Sequence, residues 1–173
     1  MSDLVLTLIG PDRPGIVEAI AEPIARHGGN WLESRMAHLA GKFAGILRIE
    51  VAAEQASALM VSLRALERSG LALTIEAGPA EPAGSGARTF LLDLVGLDRP
   101  GIVREISRAL VEHGVNIEEL TTDRTTAPMS GELLFRSRAR VSLPADVDPE
   151  HVRRRLERLA GDLMVQVSLA APE

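Results

Sequence analysis

The sequence predicts an α+β protein built from two β-α-β-β-α-β units in tandem, each a four-stranded antiparallel sheet with helices on one face. Three observations carry that reading. Gly10-Pro11-Asp12-Arg13-Pro14-Gly15-Ile16-Val17 returns as Gly96-Leu97-Asp98-Arg99-Pro100-Gly101-Ile102-Val103. The offset of 86 residues persists downstream, where Ile20, His27, Gly28, Asn30 and Glu33 map onto Ile106, His113, Gly114, Asn116 and Glu119. Strand-like alternation and helical spacing then succeed one another in the same order in both halves.

In the first half, Leu4 to Ile9 is rich in β-compatible residues and predicts a strand. Asp12-Arg13-Pro14-Gly15 opens a helix, with Asp12 as the cap acceptor and Pro14 in the first turn, where a missing N–H removes nothing. Ile16, Val17, Ile20 and Ile24 mark its buried stripe, and Gly28-Gly29 ends it with residues that accept the left-handed conformation. Asn30 to Ala40 and Lys42 to Ala52 predict two strands joined at Ala40-Gly41. A second helix carries Leu59, Leu63 and Leu66 on one face and stops at Gly70, and Leu71 to Ala77 closes the unit.

Residues 79–87, Pro-Ala-Glu-Pro-Ala-Gly-Ser-Gly-Ala, form a polar linker with no apolar residue larger than alanine. The predicted domains are therefore residues 1–78 and 88–173. In the second, Thr89 to Val95 is a strand, and Pro100 to His113 a helix buried through Ile102, Val103, Ile106 and Leu110. Asn116 to Thr125 and Glu132 to Leu143 are strands. Pro149 to Ala160 is a helix using Val152, Leu156 and Leu159, and Leu163 to Leu169 is the last strand. The plan is that of two ferredoxin-like sandwiches. Domains this small bury a limited fraction of their surface, so each should lean on its twin or on a second subunit, as in a homodimer. The open sheet face and edges also need cover, and the other copy is the nearest candidate.

Composition excludes several functions. There is no cysteine, hence no disulfide framework, thiolate nucleophile or Cys-based metal site. No stretch approaches the ~20 apolar residues of a membrane span, and Met1-Ser2-Asp3 leads directly into strand-like sequence without a basic targeting region. The cytoplasm is the default location, and no membrane role is expected. The formal net charge is −5, shared evenly by the halves, whereas a protein that grips nucleic acid by itself normally presents a basic face. The one basic cluster, Arg153, Arg154, Arg155 and Arg158, stands beside Glu150 and Glu157 and suits a solvated helix face or a docking patch for an acidic partner. Direct nucleic-acid binding is not expected.

Catalysis has no visible apparatus. There is no G-x-S-x-G, H-E-x-x-H, Walker or dinucleotide fingerprint. His27 and His113 each precede glycine at a helix end, where an imidazolium favours the dipole, and His38 and His151 have no matching partners. Glu118 and Glu119 are adjacent on a strand and should point to opposite faces. No metal site and no cofactor are expected.

The repeated loop is the better candidate for chemistry. A glycine-rich strand-to-helix turn can bind anions, because free N–H groups and the helix dipole both point at it. Gly10 and Gly15, with Gly96 and Gly101, would let a ligand approach the backbone, and Asp12 or Asp98 could face an ammonium. Asn30 and Asn116, at the next strand start, offer a donor and an acceptor each. The set suits a zwitterion. The alternative is structural: the glycines serve the turn, the aspartate caps, and the asparagine satisfies the strand start. Trp31, the only tryptophan, should point to the face opposite Asn30, either sensing order at the strand start or simply covering hydrophobic surface.

D-R-P-G-I-V at a strand-to-helix turn, with H-G-x-N further on, resembles the ACT domain, a regulatory module that commonly binds amino acids. The pair resembles the glycine cleavage system transcriptional repressors, which consist of two ACT domains and little else. Residues 30–43, Asn30-Trp31-Leu32-Glu33-Ser34-Arg35-Met36-Ala37-His38-Leu39-Ala40-Gly41-Lys42-Phe43, and Asn116-Ile117-Glu118-Glu119-Leu120, with Ala127-Pro128-Met129-Ser130-Gly131 and Leu134-Phe135 beyond it, carry that narrower match, and Trp31 and Gly29 depart from the family's usual residues. The resemblance implies ligand-binding positions at Gly10, Asp12, Arg13, Gly15 and Asn30, and at Gly96, Asp98, Arg99, Gly101 and Asn116. It also implies two sites, one pairing the Asp12 loop with Asn116 and the other the Asp98 loop with Asn30. The implied function is a non-enzymatic co-regulator that senses a small amino acid, glycine or serine, and acts through a DNA-binding transcriptional activator or another regulated protein. Two rivals are a free-standing regulatory subunit of an amino-acid or one-carbon enzyme and a remnant of a phosphatase or deformylase.

Overall fold

Leucines 4, 6 and 8 alternate with outward residues along β1 (Ser2–Pro11), and the whole first unit is built on the face they share. The structure is a computed structural model that describes residues 1–78 and 86–172. After β1 come α1 (Ile16–Arg26), β2 (Asn30–Leu39), β3 (Lys42–Val51), α2 (Ala53–Arg64) with a 3-10 extension over Ala65–Ser69, and β4 (Ala72–Ala77). The sheet order is β2-β3-β1-β4, antiparallel throughout. The second unit repeats the plan with β5 (Arg88–Leu97), α3 (Ile102–Val111), β6 (Asn116–Thr126), β7 (Leu133–Leu143), α4 (Pro149–Leu163) and β8 (Val165–Ala170), in the order β6-β7-β5-β8. The chain divides into two compact units, Met1–Pro82 and Ala83–Glu173. Of the expected linker, residues 79–85 lie outside the described residues.

Each core lies between one sheet face and two helices. In the first unit Leu4, Leu6, Leu47 and Ile49 meet Ile20 and Ile24 of α1 and Leu59 and Leu63 of α2. In the second, Leu92, Leu94, Val141 and Leu143 meet Ile106, Leu110, Val152 and Leu156. No polar or charged residue is buried among the described residues. Burial of apolar area is therefore the main term that holds the helices to the sheets. Val17 and Val103, expected in the buried stripes, are instead exposed by 47% and 42%. Each comes directly after a buried isoleucine, and one residue along a helix turns the side chain by about 100° off the core-facing stripe.

The helix starts differ from expectation. Helix α1 begins at Ile16 and α3 at Ile102, behind Gly15 (φ 87°) and Gly101 (φ 95°), with no side-chain cap. Asp12 and Asp98 do not cap because each helix starts further on, behind Gly15 or Gly101; the aspartate N–H instead continues the sheet, Asp12 donating to the Gly41 carbonyl at 3.0 Å and Asp98 to Leu133 at 2.8 Å. Pro14 and Pro100 stand in the turn ahead of the helix. The helix ends agree with the sequence. Gly28 and Gly114 both adopt φ 66°. Behind them the N–H of Gly29 reaches the Ile24 carbonyl at 2.8 Å, and that of Val115 reaches Leu110 at 3.1 Å, which closes a Schellman motif in each unit. His27 binds Ser62 at 2.8 Å and Gln55 at 3.4 Å, so its imidazole ties α1 to α2 rather than serving only the dipole. Helix α4 is capped by Asp148, whose carboxylate accepts from the Glu150 N–H at 3.0 Å, and runs on past Gly161 to Leu163.

The hairpin between β2 and β3 turns through Ala40 (φ 49°) and Gly41 (φ 76°), at the position expected from the sequence. Glu118 and Glu119 do not point to opposite faces: a bulge between Ile117 and Glu119 breaks the alternation. Both carboxylates reach Arg140, at 3.3 and 3.1 Å. In the basic cluster, Arg153 pairs with Glu150 and donates to the Leu169 carbonyl, and Arg155 reaches across to Glu112, just past the end of α3, at 3.1 Å. Half of that cluster is therefore structural. Trp31 lies opposite Asn30 as expected, half-buried against the first core, with its indole N–H donating to Ser34 at 3.3 Å.

Leu59 is fully enclosed and Val61, on the same helix, is 70% exposed. Leu59→Ala should lower unfolding free energy in urea by about 2–5 kcal/mol, and Val61→Ala by no more than about 0.5 kcal/mol. Equal effects would contradict the placement of α2.

Candidate functional site

The candidate site is the loop that leaves the first strand of each unit. Its glycines answer different demands. A Cβ on Gly10 would lie 2.6 Å from Leu71 Cδ2 and 3.0 Å from the Gly70 carbonyl oxygen. On Gly96 it would lie 2.3 Å from Val165 Cγ1 and 2.8 Å from the Val165 Cα. Both positions lie tight against the chain that enters the last strand, and at Gly96, where main chain stands at 2.8 Å, the packing requires glycine. Gly15 and Gly101 have open space around them and are glycine for their positive φ.

The motif arginines also work within their own unit. Arg13 donates from Nη2 to the Ser69 carbonyl at 3.1 Å, and Arg99 to the Asp162 carbonyl at 3.3 Å. Each guanidinium thus satisfies a carbonyl where the second helical segment ends, and pins the loop there. The motif aspartates face the second strand. Asp12 Oδ2 is 3.6 Å from His38 Nε2, and Asp98 Oδ2 is 2.7 Å from Arg124 Nε. His38 and Arg124 are separated by the same 86 residues as the motifs, so the repeat held a signal for this partner position that the motif residues alone did not reveal.

The first main-chain bond of α1 runs from the Ala19 N–H to the Gly15 carbonyl, and that of α3 from Glu105 to Gly101. The N–H groups of Ile16, Val17 and Glu18, and of Ile102, Val103 and Arg104, have no acceptor inside their helices. They are available to an anion at the loop, which the dipole also favours.

Asn30 and Asn116 sit elsewhere. Pro11 pairs with Lys42 and Asn30 with Glu50. Leu97 pairs with Leu134 and Asn116 with Ser142. In both units the loop and the asparagine are eight residues apart along the central strand, about 27 Å at ~3.4 Å per residue. Neither unit alone assembles loop and asparagine into one site. Both asparagines are exposed. A separate concavity of about 580 Å³ opens on the second unit, lined by Asp93, Thr121, Asp123, Arg136, Arg138 and Ser168 among others. None of the motif residues lines it.

Known proteins match this arrangement. The ACT domain profile matches residues 2–76, and a second ACT domain profile matches residues 90–161. The chain is 26% identical over 170 residues to the glycine cleavage system transcriptional repressor of Escherichia coli (strain K12), covering 96% of this chain and 88% of the relative. The repressor of the same name from Shigella flexneri matches equally. Among solved structures, an unknown protein from Galdieria sulphuraria superposes with a TM-score of 0.88 at 28% identity, covering 99% of both chains.

Because Val165 backbone, and not only its side chain, stands against Gly96, Gly96→Ala should destabilise the protein by about 1–3 kcal/mol. Gly161→Ala, with nothing within 4 Å, should be neutral or stabilising by up to about 1 kcal/mol. Urea unfolding of the two variants side by side checks this, and a neutral Gly96→Ala would show that the glycine is not needed for packing.

Proposed function

The chain belongs to the ACT-domain family, and from that membership we propose that it is a non-enzymatic regulatory protein that senses a small amino acid and relays its presence by binding a protein partner. The observation that carries the proposal is the end-to-end similarity, over 170 residues, to a relative named as a transcriptional repressor of the glycine cleavage system. Glycine or serine is the ligand proposed from the family resemblance, and a DNA-binding transcriptional activator the proposed partner. The loop geometry supports a zwitterion. N–H groups at the helix starts, without an acceptor inside the helix, suit a carboxylate, and a motif carboxylate such as that of Asp12 suits an ammonium. The net charge of −5 supports action through a protein, because a free-standing DNA binder displaces counterions with a basic face. No helix among the described residues is long and apolar enough to cross a membrane, and the proposed place of action is the cytoplasm.

A ligand at 100 times its Kd should stabilise the fold by about 2.7 kcal/mol, a readable melting shift. Glycine or serine at millimolar concentration should raise Tm, and no shift with any proteinogenic amino acid would remove the sensor reading. The purified protein should not retain promoter DNA in a mobility-shift assay; tight, sequence-selective retention would overturn action through a partner. Co-purification should return a transcription factor, and a metabolic enzyme in its place would identify a regulatory subunit instead.

A further inference from the structure

The two motif copies present their carboxylates differently. Arg124 Nε lies 2.7 Å from Asp98, a charge-assisted hydrogen bond, and the Asp98 side chain is 22% exposed. His38 Nε2 lies 3.6 Å from Asp12, beyond hydrogen-bond distance, and the Asp12 side chain is 39% exposed. The comparison is between equivalent places. His38 pairs with Phe43 and Arg124 with Phe135, and those phenylalanines pair with Gly10 and Gly96 respectively. A guanidinium is always charged, whereas an imidazole is not. The motif arginines do not alter the contrast, because Arg13 and Arg99 both turn to carbonyls of their own unit. Lys42 pairs with Pro11 but alternates with Phe43 and so lies on the opposite face from His38.

With the amino-acid reading above as its premise, we infer that the two copies are not equivalent: an amine-bearing ligand is taken at the Asp12 loop and not at the Asp98 loop. An ammonium approaching Asp98 has to displace a bonded guanidinium, and exchanges one charge-assisted bond for another while standing beside a like charge. An ammonium approaching Asp12 meets a carboxylate with no bonded partner among the described residues. Arg124 is thus the residue that closes the second copy to amines, and His38 the residue that leaves the first copy open.

Titration calorimetry of the full chain with glycine, and with serine as a second titrant, tests this. The wild-type protein should bind one ligand per chain. Arg124→His should raise the number to two. His38→Arg should weaken binding by about tenfold or more, the effect of trading a bonded charged partner. His38 and Arg124 are 59% and 61% exposed, so both variants should fold, which circular dichroism checks. Two equal sites in the wild type, or a single site in Arg124→His, would overturn the inference and leave the amino-acid reading standing. No heat with either titrant in any of the three proteins would remove both.

Discussion

The carboxyl end of the first strand in each unit runs so close to the chain entering the last strand that a side chain there would crowd its main chain. Gly10 against Gly70 and Leu71, and Gly96 against Val165, are the two instances of that constraint. Close contact fixes where the strand stops, and the motif arginine fixes the path of the loop by holding a carbonyl where the second helical segment ends. The third anchor is the aspartate N–H, which extends the ladder into the neighbouring hairpin. A loop held at three points presents its free N–H groups and its carboxylate in a set geometry. Such preorganisation lowers the ordering cost that a ligand of a few heavy atoms could not otherwise offset.

Much of this was legible in the sequence. The 86-residue offset defined the units, the alternation of Leu4, Leu6 and Leu8 defined the first strand, and Gly28, Gly41, Gly70 and Gly114 stopped elements where they were expected to. These signals are local, so one chain suffices to read them. What escaped depends on partners distant in sequence. Asp12 has the right chemistry for a cap, but it still belongs to the sheet ladder, its N–H on the Gly41 carbonyl 29 residues on, and the helix begins only behind Gly15. The bulge at Ile117 and Glu119 comes from strand register, which adjacent glutamates cannot reveal. The bonds from Arg13 and Arg99 span 56 and 63 residues to main-chain carbonyls that carry no sequence signature.

Of the candidate site, residue identity was legible and residue role was not. Four of the ten candidates, Gly10, Gly96, Arg13 and Arg99, have structural duties sufficient to account for them. Gly15 and Gly101 are accounted for by their backbone conformation. Asp12, with Asn30 and Asn116, is left as a side chain whose chemistry the fold does not consume, whereas Asp98 is held by Arg124 at 2.7 Å. Duplication adds a control that a single domain lacks. At the glycines and arginines the copies agree and make the same contacts within the fold; at His38 and Arg124 they differ, and the contact to the aspartate differs with them.

Recognition at a loop that the fold holds rigid requires no rearrangement of the core. Backbone amide shifts in a titration with glycine test that most directly. The largest changes should fall on the amides of Asp12, Arg13 and residues 15–18, with the core strands unmoved. Changes confined to the outer helix faces, or spread evenly through the sheet, would contradict it.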